Sequence, residues 1–307
     1  MHYLITGGCG FIGSHLIELL LAEGHRISVI DNLSTGKREN LSSGVNLKVA
    51  DIVTPGVFDE FIADIDGCFH LAAVVSVQRS AEEWLMTHQV NQSGTVALFD
   101  TLVRHKKKIP VVFASSAAAY GDCSNLPLKE TEQCQPLSAY GVDKFACELQ
   151  AHIATHIHGI PSIGLRFFNV YGPRQDPSSP YSGVISIFAN RIKQNLPVTI
   201  FGDGEQTRDF IYVGDIARGL LSSMQNLQNK KVSYGIFNLC RGLGTSVKEL
   251  AELIISITGS KTQITYGPQR VGDIKHSVGS TQSAKNALDF NASVPLKDGL
   301  QLTLKSL

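Results

Sequence analysis

His2-Tyr3-Leu4-Ile5-Thr6-Gly7-Gly8-Cys9-Gly10-Phe11-Ile12-Gly13 opens the chain, an apolar helical run follows, and Ile27-Ser28-Val29-Ile30-Asp31 comes next. The order is strand, glycine turn, helix, strand, acid. Gly7, Gly10 and Gly13 stand at GxxGxxG spacing. A turn this tight needs residues without Cβ, so that backbone N–H groups can approach a pyrophosphate. The last glycine lets helix and strand pack closely. Asp31 ends the second strand. A carboxylate there accepts hydrogen bonds from both hydroxyls of an adenosine ribose and repels a 2′-phosphate, which favours NAD over NADP. A glycine triplet alone is weak, because such turns often only connect. With the strand, the helix and the acid in place it reads as a dinucleotide-binding unit.

Outward from this unit, β-branched runs alternate with helical stretches. The pattern predicts strands at 2–6, 26–31, 46–50, 67–71, 110–115 and 162–168. Helices are expected at 12–23, 57–64, 81–105, 138–157, 184–194, 213–225 and 246–257. Such alternation means right-handed βαβ units and an α/β fold, a doubly wound parallel sheet of Rossmann type covered on both faces. The pattern changes near Gly172-Pro173, and from about 258 it reads as short strands and turns. We expect an NAD-binding domain over 1–171, with returning segments at about 206–240. Residues 172–307 mainly form a smaller substrate-binding α/β cap over the C-terminal edge of the sheet, where ligands bind in open α/β folds.

Composition excludes several classes. The 307 residues carry 27 Lys plus Arg against 27 Asp plus Glu, so no basic field exists for nucleic acid or an anionic membrane. The run Arg104-His105-Lys106-Lys107-Lys108 suits a solvated helix end. The six cysteines include no CxxC pair, which fits reduced thiols better than disulfides or a zinc site. No metal is expected. The chain enters a strand at once, without a signal peptide or an apolar run long enough to span a bilayer, so a cytoplasmic location is expected.

Tyr140 and Lys144 form Tyr-x-x-x-Lys in an expected helix, and i, i+4 spacing puts both on one face. A nearby ammonium stabilises a phenolate and draws the tyrosine pKa toward neutral. The motif is short, and a Tyr and a Lys that merely share a face would explain it alone. Upstream, Val111-Val112-Phe113-Ala114-Ser115-Ser116 ends a buried strand with hydroxyls at the edge where a nicotinamide must lie. Ser116 can hydrogen-bond a substrate hydroxyl and relay its proton to Tyr140.

With these segments quoted, the chain resembles the NAD-dependent nucleotide-sugar epimerase branch of the extended short-chain dehydrogenase/reductase family. The resemblance covers essentially the whole chain. Besides the segments above it rests on Asp31-Asn32-Leu33, Asp51-Ile52, His70-Leu71-Ala72-Ala73, Asn91, Arg166-Phe167-Phe168-Asn169-Val170-Tyr171-Gly172-Pro173, Gly202-Asp203-Gly204, Arg208-Asp209-Phe210 and Arg270-Val271-Gly272-Asp273.

The resemblance implies these roles. Gly7, Gly10, Phe11, Ile12 and Gly13 hold the pyrophosphate, Asp31 and Asn32 the adenosine ribose, and Asp51 and Ile52 the adenine. Leu71, Ala72 and Ala73 line the dinucleotide. Asn91, Ser115 and Phe168 complete the cofactor site, and Tyr140 and Lys144 contact the nicotinamide ribose besides acting with Ser116 as the catalytic set. On the UDP-sugar side, Asn169 binds the diphosphate, Val184 and Thr199-Ile200-Phe201 frame the uracil, Arg208 and Arg270 neutralise the diphosphate, and Asp273 holds the uridine ribose. Planar arginine forks suit a diphosphate. The simpler alternatives are an ion pair of Arg208 with Asp209 or Asp215, and a turn-forming Asn169. His70 reads as structural and Trp84 as helix packing or a subunit contact.

The implied activity is 4-epimerisation of a UDP-hexose by transient oxidation at C4, with NAD regenerated in each cycle and a homodimer as the assembly. Family dehydratases carry an acidic pair after the catalytic hydroxyl residue, and the related decarboxylases a glutamate near it. Here Ser116 is followed by Ala117-Ala118-Ala119. Ser277 stands four residues after Asp273, where a bulky tyrosine in the family restricts the pocket to non-acetylated hexoses. A serine leaves room for a 2-acetamido group, so UDP-N-acetylglucosamine and UDP-N-acetylgalactosamine are expected substrates beside UDP-glucose and UDP-galactose. Val75 replaces a lysine that often lies against the cofactor. UDP-glucuronate 4-epimerisation stays open, as does a non-catalytic NAD-sensing protein on the same fold.

Overall fold

The computed structural model describes residues 1–176, 183–269 and 274–307. Its first half runs β1 (His2–Thr6), α1 (Phe11–Ala22), β2 (Arg26–Asp31), β3 (Asn46–Val49), α2 (Asp59–Ile62), β4 (Gly67–His70), α3 (Val77–Glu82), α4 (Trp84–His88), α5 (Gly94–Arg104), β5 (Val111–Ser116), α6 (Ala139–His158) and β6 (Ser162–Phe167). The second half runs β7 (Asn169–Tyr171), α7 (Val184–Lys193), β8 (Val198–Phe201), β9 (Thr207–Tyr212), α8 (Val213–Gln228), β10 (Tyr234–Leu239), β11 (Gly244–Ser246), α9 (Val247–Thr258), β12 (Ile264–Gly267), β13 (His276–Ser277), α10 (Gln282–Leu288) and α11 (Leu296–Ser306).

Seven strands form one parallel sheet in the order β10-β6-β5-β4-β1-β2-β3. The order reverses between β1 and β4, which opens a crevice at their C-terminal ends. Both faces are covered. Leu16, Ile17 and Leu20 of α1 pack with Ile216, Leu220 and Met224 of α8 on one side. Phe58, Phe61, Leu98, Leu102, Cys147 and Ala151 cover the other. Because the strands are buried on both faces, β1, β4 and β6 read as unbroken buried runs.

The cap has its own core, in which Ile185, Phe188 and Ile192 of α7 meet Ile200, Phe210, Leu250, Ile254, Leu296 and Leu300. Three short strands surround β9, namely β11, β13 and β7, while β8 pairs with β12. The expectation of strands and turns after 258 is corrected here. The region also holds α10 and α11, and Leu296, Gly299, Leu300 and Thr303 give α11 a buried face at helical spacing. The seventh strand, β10, was not expected from the sequence either.

Two helices also differ from expectation. The stretch 57–64 keeps only the four residues of α2. The expected 81–105 helix is split. Ser76 caps α3 by accepting the Arg79 N–H, Glu83 breaks the ladder at φ −121°, and Gln89–Ser93 form a π-helical segment before α5. Such segments free a carbonyl from the regular ladder. Here the Asn91 carbonyl takes the Thr95 hydroxyl at 2.7 Å and the Cys147 thiol at 3.3 Å, which ties α5 to α6.

Two buried polar networks hold the strand ends. In one, the Glu148 carboxylate on α6 takes the Arg166 guanidinium of β6 in a two-pronged pair at 2.8 and 2.7 Å, and accepts the Ser115 hydroxyl at 2.5 Å. In the other, the Thr6 hydroxyl accepts from Leu71 and Ala72 N–H and therefore donates to His70 Nδ1. The opposite ring nitrogen donates to Thr95, whose hydroxyl donates to Asn91 O. His70 is thus held neutral, and burial, aided by the Lys144 charge, pushes its pKa down to about 3.

Arg166→Met alone leaves Glu148 buried without its cation and costs about 3–5 kcal/mol, whereas the double variant with Glu148→Leu recovers most of it; urea unfolding checks both. Because the folded His70 pKa lies below its unfolded value of ~6.5, the residue's contribution to stability is complete above that pH and lost as pH falls toward 3. The stability deficit of His70→Gln should therefore shrink on acidification from pH 6.5, by about 1.4 kcal/mol per unit where the difference is linear.

Candidate functional site

The site lies where the C-terminal ends of β1, β4 and β5 meet the N-termini of α1 and α6. Gly7 has φ +71°, and a Cβ there would stand 2.8 Å from the Ala72 Cα. A Cβ on Gly13 would stand 2.4 Å from Gly7 O. The loop is therefore pressed against both the fourth strand and its own helix. No side chain caps α1, whose N-cap is Gly10, so the first-turn N–H groups of Phe11, Ile12 and Gly13 are presented to an anion at the positive end of the helix.

Asp31 is 7 % exposed, and each of its oxygens takes one backbone donor, from Cys9 at 2.9 Å and from Leu33 at 2.8 Å. Each oxygen keeps a second lone pair for a ribose hydroxyl. Asn32 donates to Asp51 Oδ2 at 2.9 Å, so the expected ribose and adenine residues adjoin. Ile52 is buried beneath them against Gly94. Leu71, Ala72 and Ala73 continue β4 along the crevice. The arrangement fits a dinucleotide: a glycine cradle that a Cβ would fill, a helix N-terminus for phosphates, and a fixed carboxylate.

Two expected cofactor residues act one layer deeper. Asn91 is 2 % exposed and spends its amide on Val74 N and O, at 2.7 and 3.1 Å, which pins the loop after Ala73. Alternation along β5 turns the Ser115 hydroxyl inward to Glu148. Phe168 is likewise largely enclosed, 5 % exposed among Tyr120, Leu128 and Cys240.

Ser116, the next residue along β5, faces the crevice. Its Oγ accepts the Ala118 N–H at 3.1 Å, and its hydroxyl lies beside the Tyr140 phenol, where it acts to lower the phenol's pKa. Ser138 caps α6 by accepting the Gly141 N–H, and Ser80 Oγ accepts the Tyr140 N–H at 3.2 Å, so the first turn carrying the tyrosine is held from two sides. Lys144, one turn on, is 5 % exposed, donates to Ala114 O at 2.9 Å, and places Nζ 5.9 Å from the Tyr140 ring centre. The expected drop in the tyrosine pKa is not found. Burial raises Tyr140 and outweighs the Ser116 hydrogen bond, and burial lowers Lys144.

In the cap, Asn169 Nδ2 donates to Asp209 O at 3.3 Å, and β7 pairs with β9, which carries Arg208. The ion-pair reading of Arg208 does not hold for either carboxylate. Asp209 is filled by the N–H groups of Arg241, Gly242 and Gly279, and Asp215 by Arg218, Ser293 and Val294. Burial raises the Asp209 pKa to about 6 despite those donors. Ser277 pairs in register with Arg208. Val184 begins α7, and Thr199 and Phe201 flank Ile200, which is a core residue of the cap and offers a ligand only its backbone. Arg270 and Asp273 lie outside the described residues.

Sequence reasoning missed Glu148, Thr6, Thr95 and Cys147. A signal existed for Glu148: it follows Lys144 by four residues on α6, and Arg166 is a lone charge in an otherwise uncharged strand. Among the described residues there is no cluster of three or more metal-ligating side chains and no helix long and apolar enough to cross a membrane.

The model of the NAD dependent epimerase/dehydratase family matches residues 3–240. UDP-glucose 4-epimerase of Mycolicibacterium smegmatis is 32 % identical over 314 residues, 99 % of this chain and 98 % of that protein. UDP-glucose 4-epimerase of Thermotoga maritima, solved with UDP-glucose, superposes with a TM-score of 0.94 at 35 % identity, over 100 % of this chain and 98 % of that one. UDP-N-acetylglucosamine 4-epimerase of Methanobrevibacter ruminantium, in complex with UDP-N-acetylmuramic acid, gives 0.94 at 35 % identity, over 99 % and 97 %. The glycine cradle, the fixed Asp31 and the Ser116–Tyr140–Lys144 set therefore belong to a member of the NAD-dependent epimerase/dehydratase family.

Proposed function

We propose that the protein is a UDP-hexose 4-epimerase that accepts the 2-acetamido pair, UDP-N-acetylglucosamine and UDP-N-acetylgalactosamine, as well as UDP-glucose and UDP-galactose. The convergence of Ser116 and Lys144 on the Tyr140 side chain carries the reading, in a chain whose full-length relatives include 4-epimerases at 32–35 % identity, beside a sugar-nucleotide decarboxylase at 30 %. Ala117-Ala118-Ala119 follow Ser116, so no carboxylate stands ready to expel a 6-hydroxyl.

Bound NAD supplies the acceptor and later the donor of a hydride at sugar C4. The chain does the rest. Phe11, Ile12 and Gly13 present N–H groups to the pyrophosphate, Asp31 holds the ribose, and Lys144 holds the second ribose. Tyr140, as the phenolate, takes the proton of the sugar 4-hydroxyl, directly or through Ser116, and holds it as the phenol until it is returned. Between these transfers the 4-keto sugar turns about its phosphate bond while Asn169 and Arg208 keep the diphosphate in place. Binding energy far from C4 thus prevents escape of the intermediate. Ser277, in register with Arg208, is a small wall that leaves volume for an acetamido group.

A homodimer completes the proposal. Val142, Leu149, Ile153 and Ile157 form an outward apolar stripe on α6, all exposed, beside Trp84 and Leu85 of α4. A second copy docking the same face would bury it.

Incubation with each UDP-sugar pair, followed by anomeric proton NMR, should show the galacto epimers; no epimer from either pair, with NAD supplied, rejects the reading. Tyr140→Phe should lower kcat by about 10²–10⁴ while NAD content is unchanged. Ser277→Tyr should abolish turnover of the acetylated pair and spare UDP-glucose, and equal loss of both refutes the pocket argument. Leu149→Glu should convert a dimer to monomer in light scattering, whereas a monomeric wild type removes the dimer proposal.

A further inference from the structure

The helix that carries the glycine cradle is joined to the cap by one compact polar contact. Residues 172–176 leave β7 as a strap across α1. Arg174, held at φ +67°, lays its guanidinium on Glu18 in a two-pronged pair, Nη1 to Oε1 at 2.8 Å and Nη2 to Oε2 at 2.7 Å. The same Nη2 lies 2.8 Å from His15 Nδ1. A guanidinium has only donors, so Nδ1 is the acceptor and the proton sits on Nε2, which donates to Pro173 O at 2.9 Å. His15 must be neutral for this, and burial and the Arg174 charge both hold its pKa below the usual range, against the Pro173 bond and Glu18. The ring also stands edge-on to Phe11, 6.0 Å between centres, and Phe11 is the first residue of α1 at the phosphate-binding end.

The other end of the strap reaches the cap. Gln175 Nε2 donates to Val170 O at 3.3 Å, and Gln175 Oε1 accepts the Ser186 hydroxyl at 2.6 Å. Ser186 is 1 % exposed in the first turn of α7, two residues after Val184. A continuous set of contacts therefore runs from Phe11 through His15, Arg174 and Gln175 to Ser186, between the cofactor end of α1 and the nucleotide end of α7.

We infer that Arg174, with His15, Glu18, Gln175 and Ser186, is a positioning set that couples the two ligand sites, so that a uridine diphosphate moiety in the cap slows the loss of NAD. The inference rests on the sugar-nucleotide reading of the cap. Its physical content is linkage: if the strap is ordered by either ligand, each ligand raises the affinity of the other by the same factor, commonly about 5- to 150-fold. An enzyme that must keep its reduced cofactor until the intermediate has turned gains from this coupling, because the cofactor is held most firmly while the sugar nucleotide is present. Val75, 69 % exposed and standing where the family resemblance implies a lysine, leaves more of that task to the strap.

The test is exchange of bound NAD for isotopically labelled NAD in the holoenzyme, with and without saturating UDP, beside calorimetric titration of UDP. In the wild type, UDP should slow exchange about fivefold or more. Arg174→Met and Ser186→Ala, which cut the strap at opposite ends, should each bring that ratio near one, and Arg174→Lys, which keeps the charge without the fork, should fall between. Ser186→Ala should leave exchange without UDP unchanged, since it touches nothing on α1. If both variants exchange faster but keep the wild-type ratio, or if the wild type binds UDP with no effect on exchange, the coupling is refuted. If calorimetry finds no UDP binding to the wild type, the sugar-nucleotide reading falls and the coupling with it.

Discussion

Close approach of the glycine loop to the strands is the constraint on which the rest depends. Gly7 touches the backbone of Ala72, and Gly13 touches Gly7. These contacts leave no room for a side chain, and they draw the N-terminus of α1 to the point where β1 and β4 part. A dinucleotide laid across that point spans from Asp31 at one side to Tyr140 and Lys144 at the other. The positions of both ends follow from the sheet order, and so does the place of the cap above them.

Polar groups inside the sheet tie β1 to β4 and β5 to β6. Thr6, His70 and Thr95 make a one-directional chain of hydrogen bonds that ends on Asn91 O. Glu148 joins Ser115 to Arg166. Both networks are fully buried, where an unmatched group is costly. Both also end within one residue of a site element: Leu71–Ala72 in the first, Ser116 in the second. They spend stability terms on fixing geometry, and hydrophobic packing alone would leave the strand ends free to shift.

What could be read from the sequence follows from this division. The glycine loop, Asp31, the sheet's first six strands and the Ser116, Tyr140 and Lys144 set were legible because each depends on local spacing: period two, period 3.6, or a turn that excludes Cβ. The inward turn of Ser115 was also implicit in strand alternation, yet family resemblance assigned it to the cofactor. The split of the expected 81–105 helix was not legible. Its cause is tertiary, since the Asn91 carbonyl is drawn off by Thr95 and by Cys147 from another helix. The helices α10 and α11 were hidden because short amphipathic segments with few apolar residues look like turns until the surface they cover is known. The strap was invisible for the same reason, since its partners lie more than 150 residues apart in the chain.

The acid–base pair shows how environment decides between two plausible effects. Proximity of Lys144 to Tyr140 suggests a stabilised phenolate, yet burial acts on both groups and favours the neutral form of each, raising the phenol and lowering the ammonium. The ammonium is also committed to Ala114 O, and its Nζ lies 5.9 Å from the ring centre. Its field at the phenol is therefore the weaker effect. A phenolate in this crevice needs further positive charge close to the ring. An oxidised nicotinamide ring is a cation, and NAD held by Tyr140 and Lys144 would supply charge of that kind. The chain's part is to place Ser116 beside the phenol and, through burial, to favour the protonated form of Tyr140 until such a charge is added.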